Sequence, residues 1–327
     1  MRPTTARRAH SRRIVAAVRR EGLRELAERG AALHREGGGG EDHREQRDRL
    51  HGQERKQAGH AEDHADAAGE RREAAARVAG ELDAARRIQM GLLPHPARLF
   101  ADENRFSVAA LLEPARAVGG DYYDCFMLDE QRLCLAIGDV SGKGIPASLF
   151  MAISKTLTGT LARSHADLGL AMRAVELELD RNNSEYLFVT SFISVINVNS
   201  GAMEFVCAGH DAPLLRRNGR TLRIDTAPTS GPPLCATGDY PFTTGHTQLQ
   251  PGDLLCLFTD GVSEAYNGQD MFTGERLAEV FASTINEPTL QRQIEAIRDS
   301  VRQFEAGFPP VDDLTLLLAR WYGQPRI

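Results

Sequence analysis

The sequence predicts an α+β domain built on antiparallel sheets, and three observations carry that expectation. Between residues 100 and 322 strand-like runs outnumber helical ones. They come in consecutive groups rather than alternating with helices, the alternation that marks a parallel α/β sheet. Two of the gaps between them hold hairpin-turn residues, NSG at 199–201 and NG at 218–219.

In chain order, residues 1–90 contain no Phe, Trp, Tyr or Cys and hold six of the ten histidines. Such a segment buries too little apolar surface to offset the entropy of ordering the chain. Residues 1–72 are therefore expected to be low-complexity and largely disordered. They include one weak amphipathic helix at 11–34, read as a solvated helix rather than a membrane-surface one. The His-rich run at 41–72 lacks cysteine and regular spacing and is read as disorder rather than a metal site. From 73 to 94 a linker helix is expected. Val78, Leu82, Ala85 and Leu92 recur at coiled-coil spacing, and Pro94 ends the run. Residues 95–322 form the folded domain, with strands expected at 106–112, 133–140, 188–198, 203–207, 213–217, 254–259 and 314–319. Helices are expected at 145–163, 167–181, 275–285 and 289–305.

The net charge of −6 divides unevenly. Residues 1–90 carry 20 Lys and Arg against 16 Asp and Glu, and the remainder 19 against 29. An acidic folded half lacks the basic footprint of a nucleic-acid binder and suits a site that collects cations. The five cysteines are scattered singly, without CxxC spacing, as reduced intracellular thiols are. No apolar run reaches the ~18 residues of a membrane span. A soluble cytoplasmic protein is the expectation.

Four acidic spots stand at strand ends or in glycine-containing turns: Asp121 after Gly119-Gly120, Asp139 in Gly138–Gly144, Asp260 before Gly261, and the pair Asp312-Asp313. Asp139 follows the apolar run Leu133–Ile137, Asp260 follows Leu254–Thr259, and Asp312 precedes Leu314–Leu318. A lone charge at the end of a buried strand must be neutralised, paired or metal-bound. One aspartate in a turn is ordinarily a local backbone partner. Four such spots, three of them at the ends of buried strands, point to convergence, and carboxylates without His or Cys select hard cations such as Mg²⁺ or Mn²⁺. Two such ions can clamp a phosphate ester for in-line attack. The Gly138–Gly144 run lacks P-loop spacing, and neither a GxSxG nor an HExxH motif is present. His210, in a turn after a β-like run, is read as a turn brace before an acid or ligand.

At these residues the chain resembles the PPM superfamily of type 2C-like serine/threonine phosphatases, and within it the bacterial SpoIIE/RsbU branch. The matching segments run in order over about 85–320: Gln89–Pro94, Val118–Asp124, Ile137–Ala147, Ala208–His210, Pro251–Asp253, Phe258–Ala265 and Asp312–Thr315. The resemblance implies an αββα sandwich of two antiparallel β-sheets flanked by helices, with two Mn²⁺ or Mg²⁺ ions at one end. It gives Asp139 the bridging role, sets the Val140 carbonyl and Asp121 at one metal, and Asp260 and Asp312 at the other. Asp313 assists or supports the loop. Asp139, Asp260 and Asp312 are the implied catalytic residues. Two departures from the broader type 2C pattern stand out. Ser141 replaces the His suspected of donating a proton to the leaving group, and the phosphate-gripping Arg has no match, Arg116 lying outside any motif. The implied substrate is a phosphorylated protein, a STAS-type anti-anti-sigma factor in partner-switching regulation. The linker helix is implied to mediate homodimerisation. A non-catalytic phosphatase-like binding domain and a hydrolase of small phosphate esters are the alternatives.

Overall fold

The computed structural model describes residues 69–323, nearly all within one compact unit, Glu73–Ile327. The expectations for 11–34 and for the His-rich run before residue 69 lie outside the described residues.

Helix α1 covers residues 69–92, and Pro94, which cannot continue a helix, follows its end. A single turn, α2 (Pro96–Leu99), leads into the sandwich. Ten strands form two five-stranded sheets. The first has the order β1 (Phe106–Glu113), β10 (Leu314–Trp321), β9 (Leu254–Phe258), β6 (Leu214–Arg217), β7 (Arg220–Arg223). The second has the order β2 (Asp121–Met127), β3 (Arg132–Val140), β4 (Val189–Asn197), β5 (Ala202–Ala208), β8 (Gly245–Gln248). Every strand pair in both sheets is antiparallel.

Helices α3 (Ile145–Ser164) and α4 (Leu168–Asp180) cover the second sheet, and α6 (Thr273–Ser283) and α7 (Leu290–Glu305) cover the first. The result is the αββα sandwich. Its central strands are buried on both faces, so they read as unbroken apolar runs rather than alternating ones. One core, with Leu135, Ile137, Phe192, Leu257 and Leu317, fills the space between the sheets and under α3 and α4. A second, with Cys256, Phe258, Leu316, Leu318, Ile294 and Ile297, lies between the first sheet and α6 and α7. Asp167 and Thr289 start α4 and α7 by accepting from the Leu170 and Arg292 N–H groups.

The NG turn joins β6 to β7 with both residues at positive φ, Asn218 at 50° and Gly219 at 76°, the geometry that follows the strand twist. Three strands depart from the sequence expectation. β2 reads DYYDCFM, and its first five residues are buried in succession, so alternation gives no signal. β7 and β8 are four-residue edge strands with little apolar content. The segment after Thr259 is a short helix, α5 (Asp260–Ser263), rather than a plain turn.

Candidate metal centre

The sandwich brings the carboxylates together in two pairs, one from the end of each sheet. In the second sheet Asp121 opens β2 and faces Asp139 in register across to β3. Asp139 is flanked on its other side by Thr190 of β4. In the first sheet β9 ends at Phe258 and is followed by Thr259 and then by Asp260 at the first position of α5. Its neighbour β10 begins just after Asp312 and Asp313.

Hydroxyls from the first sheet fix the buried Asp121. Its Oδ2 accepts from Thr259 Oγ1 at 2.7 Å and from Thr315 Oγ1 at 2.5 Å. Asp313 works in the opposite direction. Its Oδ1 accepts from the Ala115 N–H at 2.7 Å, and its Oδ2 from the N–H groups of Gly120 at 2.7 Å and Asp121 at 3.3 Å. Asp313 is thus a brace that ties the chain entering β2 to the start of β10. Two glycines make room for it. A Cβ on Gly119 would stand 2.1 Å from Asp313 Oδ2, and one on Gly261 would stand 1.9 Å from the Asp313 carbonyl oxygen.

The carboxylates repel one another. Burial, with the charges of Asp139 and Asp313, raises the Asp121 pKa well above the usual carboxylate range, against the pull of its two threonine hydroxyls. Burial, followed by Asp260, Asp312 and Asp313, does the same to Asp139, while a hydrogen bond to Asp121 opposes it. Among the described residues no three of these side chains close into a ready-made ligand cage. Their accumulated negative charge is one that a divalent cation would balance, and their donors are all oxygen, the donor set of Mg²⁺ and Mn²⁺.

His210 joins the two sheets at this end. Its Nδ1 lies 3.0 Å from Thr190 Oγ1 and its Nε2 lies 3.1 Å from the Phe258 carbonyl. A carbonyl only accepts, so Nε2 carries the hydrogen and Nδ1 accepts from the threonine. Burial pushes the imidazole pKa down to about 4, which keeps it neutral. Both ring nitrogens are engaged, as a brace requires. Ser141 is also engaged in the fold: its Oγ accepts from the Phe188 N–H at 2.9 Å, and its N–H donates to the Phe188 carbonyl at 2.8 Å.

Gln89 on α1 reaches the site from outside the sandwich. Its Nε2 donates to the Gly119 carbonyl at 2.6 Å, and its Oε1 accepts from the Gly119 N–H at 3.1 Å. The helix is therefore pinned two residues before Asp121. Sequence reasoning placed Gln89 in a motif without a role, and missed Thr259 and Thr315 as partners of Asp121. The available signal was a hydroxyl inside a buried apolar run, which must find a partner.

The family model described as Stage II sporulation protein E (SpoIIE) matches residues 129–322. Phosphoserine phosphatase RsbU of Bacillus subtilis (strain 168) is 26% identical over 243 residues, covering 74% of this chain and 70% of RsbU. Protein IcfG of Synechocystis sp. is 26% identical over 265 residues, covering 72% of this chain and 41% of IcfG, so the chain spans under half of that relative. Among solved structures, the SiaA-PP2C domain of Pseudomonas aeruginosa superposes with a TM-score of 0.65 at 19% identity, covering 76% of this chain and 98% of that domain. The RsbU and RsbW domains of a Mycobacterium tuberculosis protein give a TM-score of 0.58 at 25% identity, covering 68% of this chain and 62% of that one. The sandwich, the ordered aspartate motifs and the match over 129–322 agree, and the chain belongs to the SpoIIE family of PPM-type phosphatases.

Proposed function

We propose that this chain is a Mn²⁺- or Mg²⁺-dependent phosphatase that hydrolyses phosphoserine or phosphothreonine on a protein. The observation that carries the reading is the convergence of Asp121 and Asp139 from one sheet with Asp260 and Asp312 from the other. Their mutual repulsion is what divalent cations would relieve. Asp139 would be shared by two ions, with Asp260 and Asp312 holding one, and Asp121 and the Val140 carbonyl the other. Asp313, its oxygens taken up by backbone N–H groups, supports the loop. Bound there, the two ions would supply the positive charge that polarises a phosphate ester and favours attack by water.

The residues of the chain do the positioning. Thr259 and Thr315 hold Asp121 and favour its ionised form. His210, neutral and doubly bonded, sets the spacing between Thr190 beside Asp139 and Phe258 before Asp260. Such supporting bonds orient metal ligands and tune affinity.

The relatives named RsbU and RsbP are phosphoserine phosphatases, and with the family motifs they support a phosphorylated STAS-type protein as substrate, acting in partner switching. Helix α1 leaves Val78 and Ile88 exposed, an apolar edge that supports pairing with a second copy through this helix. A cytoplasmic site of action fits the five free cysteines, four of them buried; no helix among the described residues is long and apolar enough to cross a membrane. The test is phosphate release from phosphorylated STAS proteins with Mn²⁺ and with a chelator. Asp139→Asn is expected to abolish both turnover and Mn²⁺ binding. Wild-type turnover by that variant would overturn the two-metal assignment.

A further inference from the structure

A cluster of carboxylates attracts cations and repels a phosphate ester, so the substrate needs positive charge from the chain as well. Neither Ser141, which stands where the broader type 2C pattern has a His, nor Arg116 supplies it. Ser141 is bonded to Phe188 on both its hydroxyl and its backbone, and Arg116 is exposed, outside the matching motifs.

Lys143 stands beside one member of the aspartate cluster, Asp312. It lies in the loop between β3, which carries Asp139, and α3. Its Nζ is 3.0 Å from Asp312 Oδ2 and also donates to the Val311 carbonyl. The Lys143 side chain is 34% exposed and that of Asp312 16%, so the lysine is the more solvent-accessible member of the pair. A lysine ammonium is a compact charge with three donors on a flexible stem, suited to hold a carboxylate and a phosphate oxygen together. A partly exposed ion pair is worth little, so shifting one N–H from Val311 or Asp312 to an incoming phosphate costs little.

We propose that Lys143 is a substrate-contacting residue whose ammonium binds the phosphate group of the phosphorylated side chain as it enters the site. The assignment rests on the phosphatase reading above and adds the group that grips the anion. Lys143 thereby links two tasks through Asp312: it steadies that carboxylate in the absence of substrate and receives the phosphate when substrate arrives.

The test compares Lys143→Met and Lys143→Arg with the unaltered protein. Mn²⁺ binding is measured by titration calorimetry without substrate. Inhibition by inorganic phosphate and kcat/KM on a phosphoserine protein are measured with Mn²⁺ saturating. Lys143→Met is expected to bind Mn²⁺ as tightly as the unaltered protein or more so, because a positive charge beside Asp312 is gone. Its affinity for inorganic phosphate and its kcat/KM should fall roughly tenfold or more, the value of one hydrogen bond between charged groups. Lys143→Arg should recover most of both. Unchanged phosphate affinity in Lys143→Met would overturn the assignment. A parallel loss of Mn²⁺ and phosphate binding would also overturn it, since Lys143 would then only support Asp312. Failure of the unaltered protein to bind Mn²⁺ would instead overturn the metal reading, and this assignment with it.

Discussion

Replacing Gln89 by leucine tests whether α1 holds the metal end of the sandwich in place. Gln89 is only 6% exposed, and both ends of its amide are used, on the carbonyl and the N–H of Gly119. Leucine fills a similar volume but leaves both Gly119 groups buried without partners. An orphaned buried polar group costs about 1–3 kcal/mol, so the two together should weaken the domain by roughly 2–4 kcal/mol. For a domain of this size that is a fall in Tm of about 5–15 °C. The effect should reach the site as well. Gly119 adjoins Gly120, whose N–H is held by Asp313, and Gly120 adjoins Asp121. Mn²⁺ affinity and phosphate release should fall with stability, and Arg86→Ala, at an exposed position of the same helix, should change none of the three. Thermal unfolding, Mn²⁺ titration and phosphate release on the same preparations make the comparison. A Gln89→Leu protein with unaltered Tm, Mn²⁺ affinity and turnover would refute the coupling.

Two further outcomes follow from the packing. Gly261→Ala would force a methyl group to within 1.9 Å of the Asp313 carbonyl, so chemical unfolding should show a loss of about 1–3 kcal/mol together with weaker Mn²⁺ binding. Gly91→Ala, in a helix with open space around it, is the control and should hold or raise stability by about 1 kcal/mol. His210 is neutral in the fold with a pKa of about 4, below its value of 6.5 when free. The stability it contributes is fully present above pH 6.5 and is lost as pH falls toward 4, because the unfolded chain then takes up the proton first. The difference between wild type and His210→Gln in urea unfolding should therefore shrink by up to about 3 kcal/mol between pH 7 and pH 4. A difference that stays constant with pH would refute the neutral brace.

How far the sequence reached depended on what each element buries. The runs at 133–137, 254–258 and 314–318 are apolar because each strand is covered on both faces, and their strands are where those runs predict them. β2 escaped notice because its buried positions hold tyrosines and acids, whose partners come from elsewhere in the fold. Asp139, Asp260 and Asp312 were visible as charges at the ends of buried strands, and the resemblance carried by the ordered motifs implied roles for them. The groups that hold them were not visible. That Thr259 and Thr315 meet Asp121, or that Asp313 meets Gly120, depends on how one sheet lies on the other, and no local spacing records that. Lys143 lay in a rejected phosphate-loop spacing and in the matching segment Ile137–Ala147, with no role of its own. Its place beside Asp312 follows from a contact between residues far apart in the chain.

The position of β10 has a consequence for how the molecule is made. It is the last strand of the domain, yet it lies inside the first sheet between β1 and β9. A chain emerging from the ribosome can complete the second sheet, whose strands end at Gln248, while β1 and β9 still lack the strand that joins them. Asp312, the Asp313 brace and the Thr315 hydroxyl all arrive with that strand. Until then Asp121 has no clasp from β10, and the sheet edges that β10 will cover remain open to other chains. The full cluster of aspartates and threonine hydroxyls thus comes together only when β10 has entered between β1 and β9, so the last strand of the sheet is also the one that completes the site.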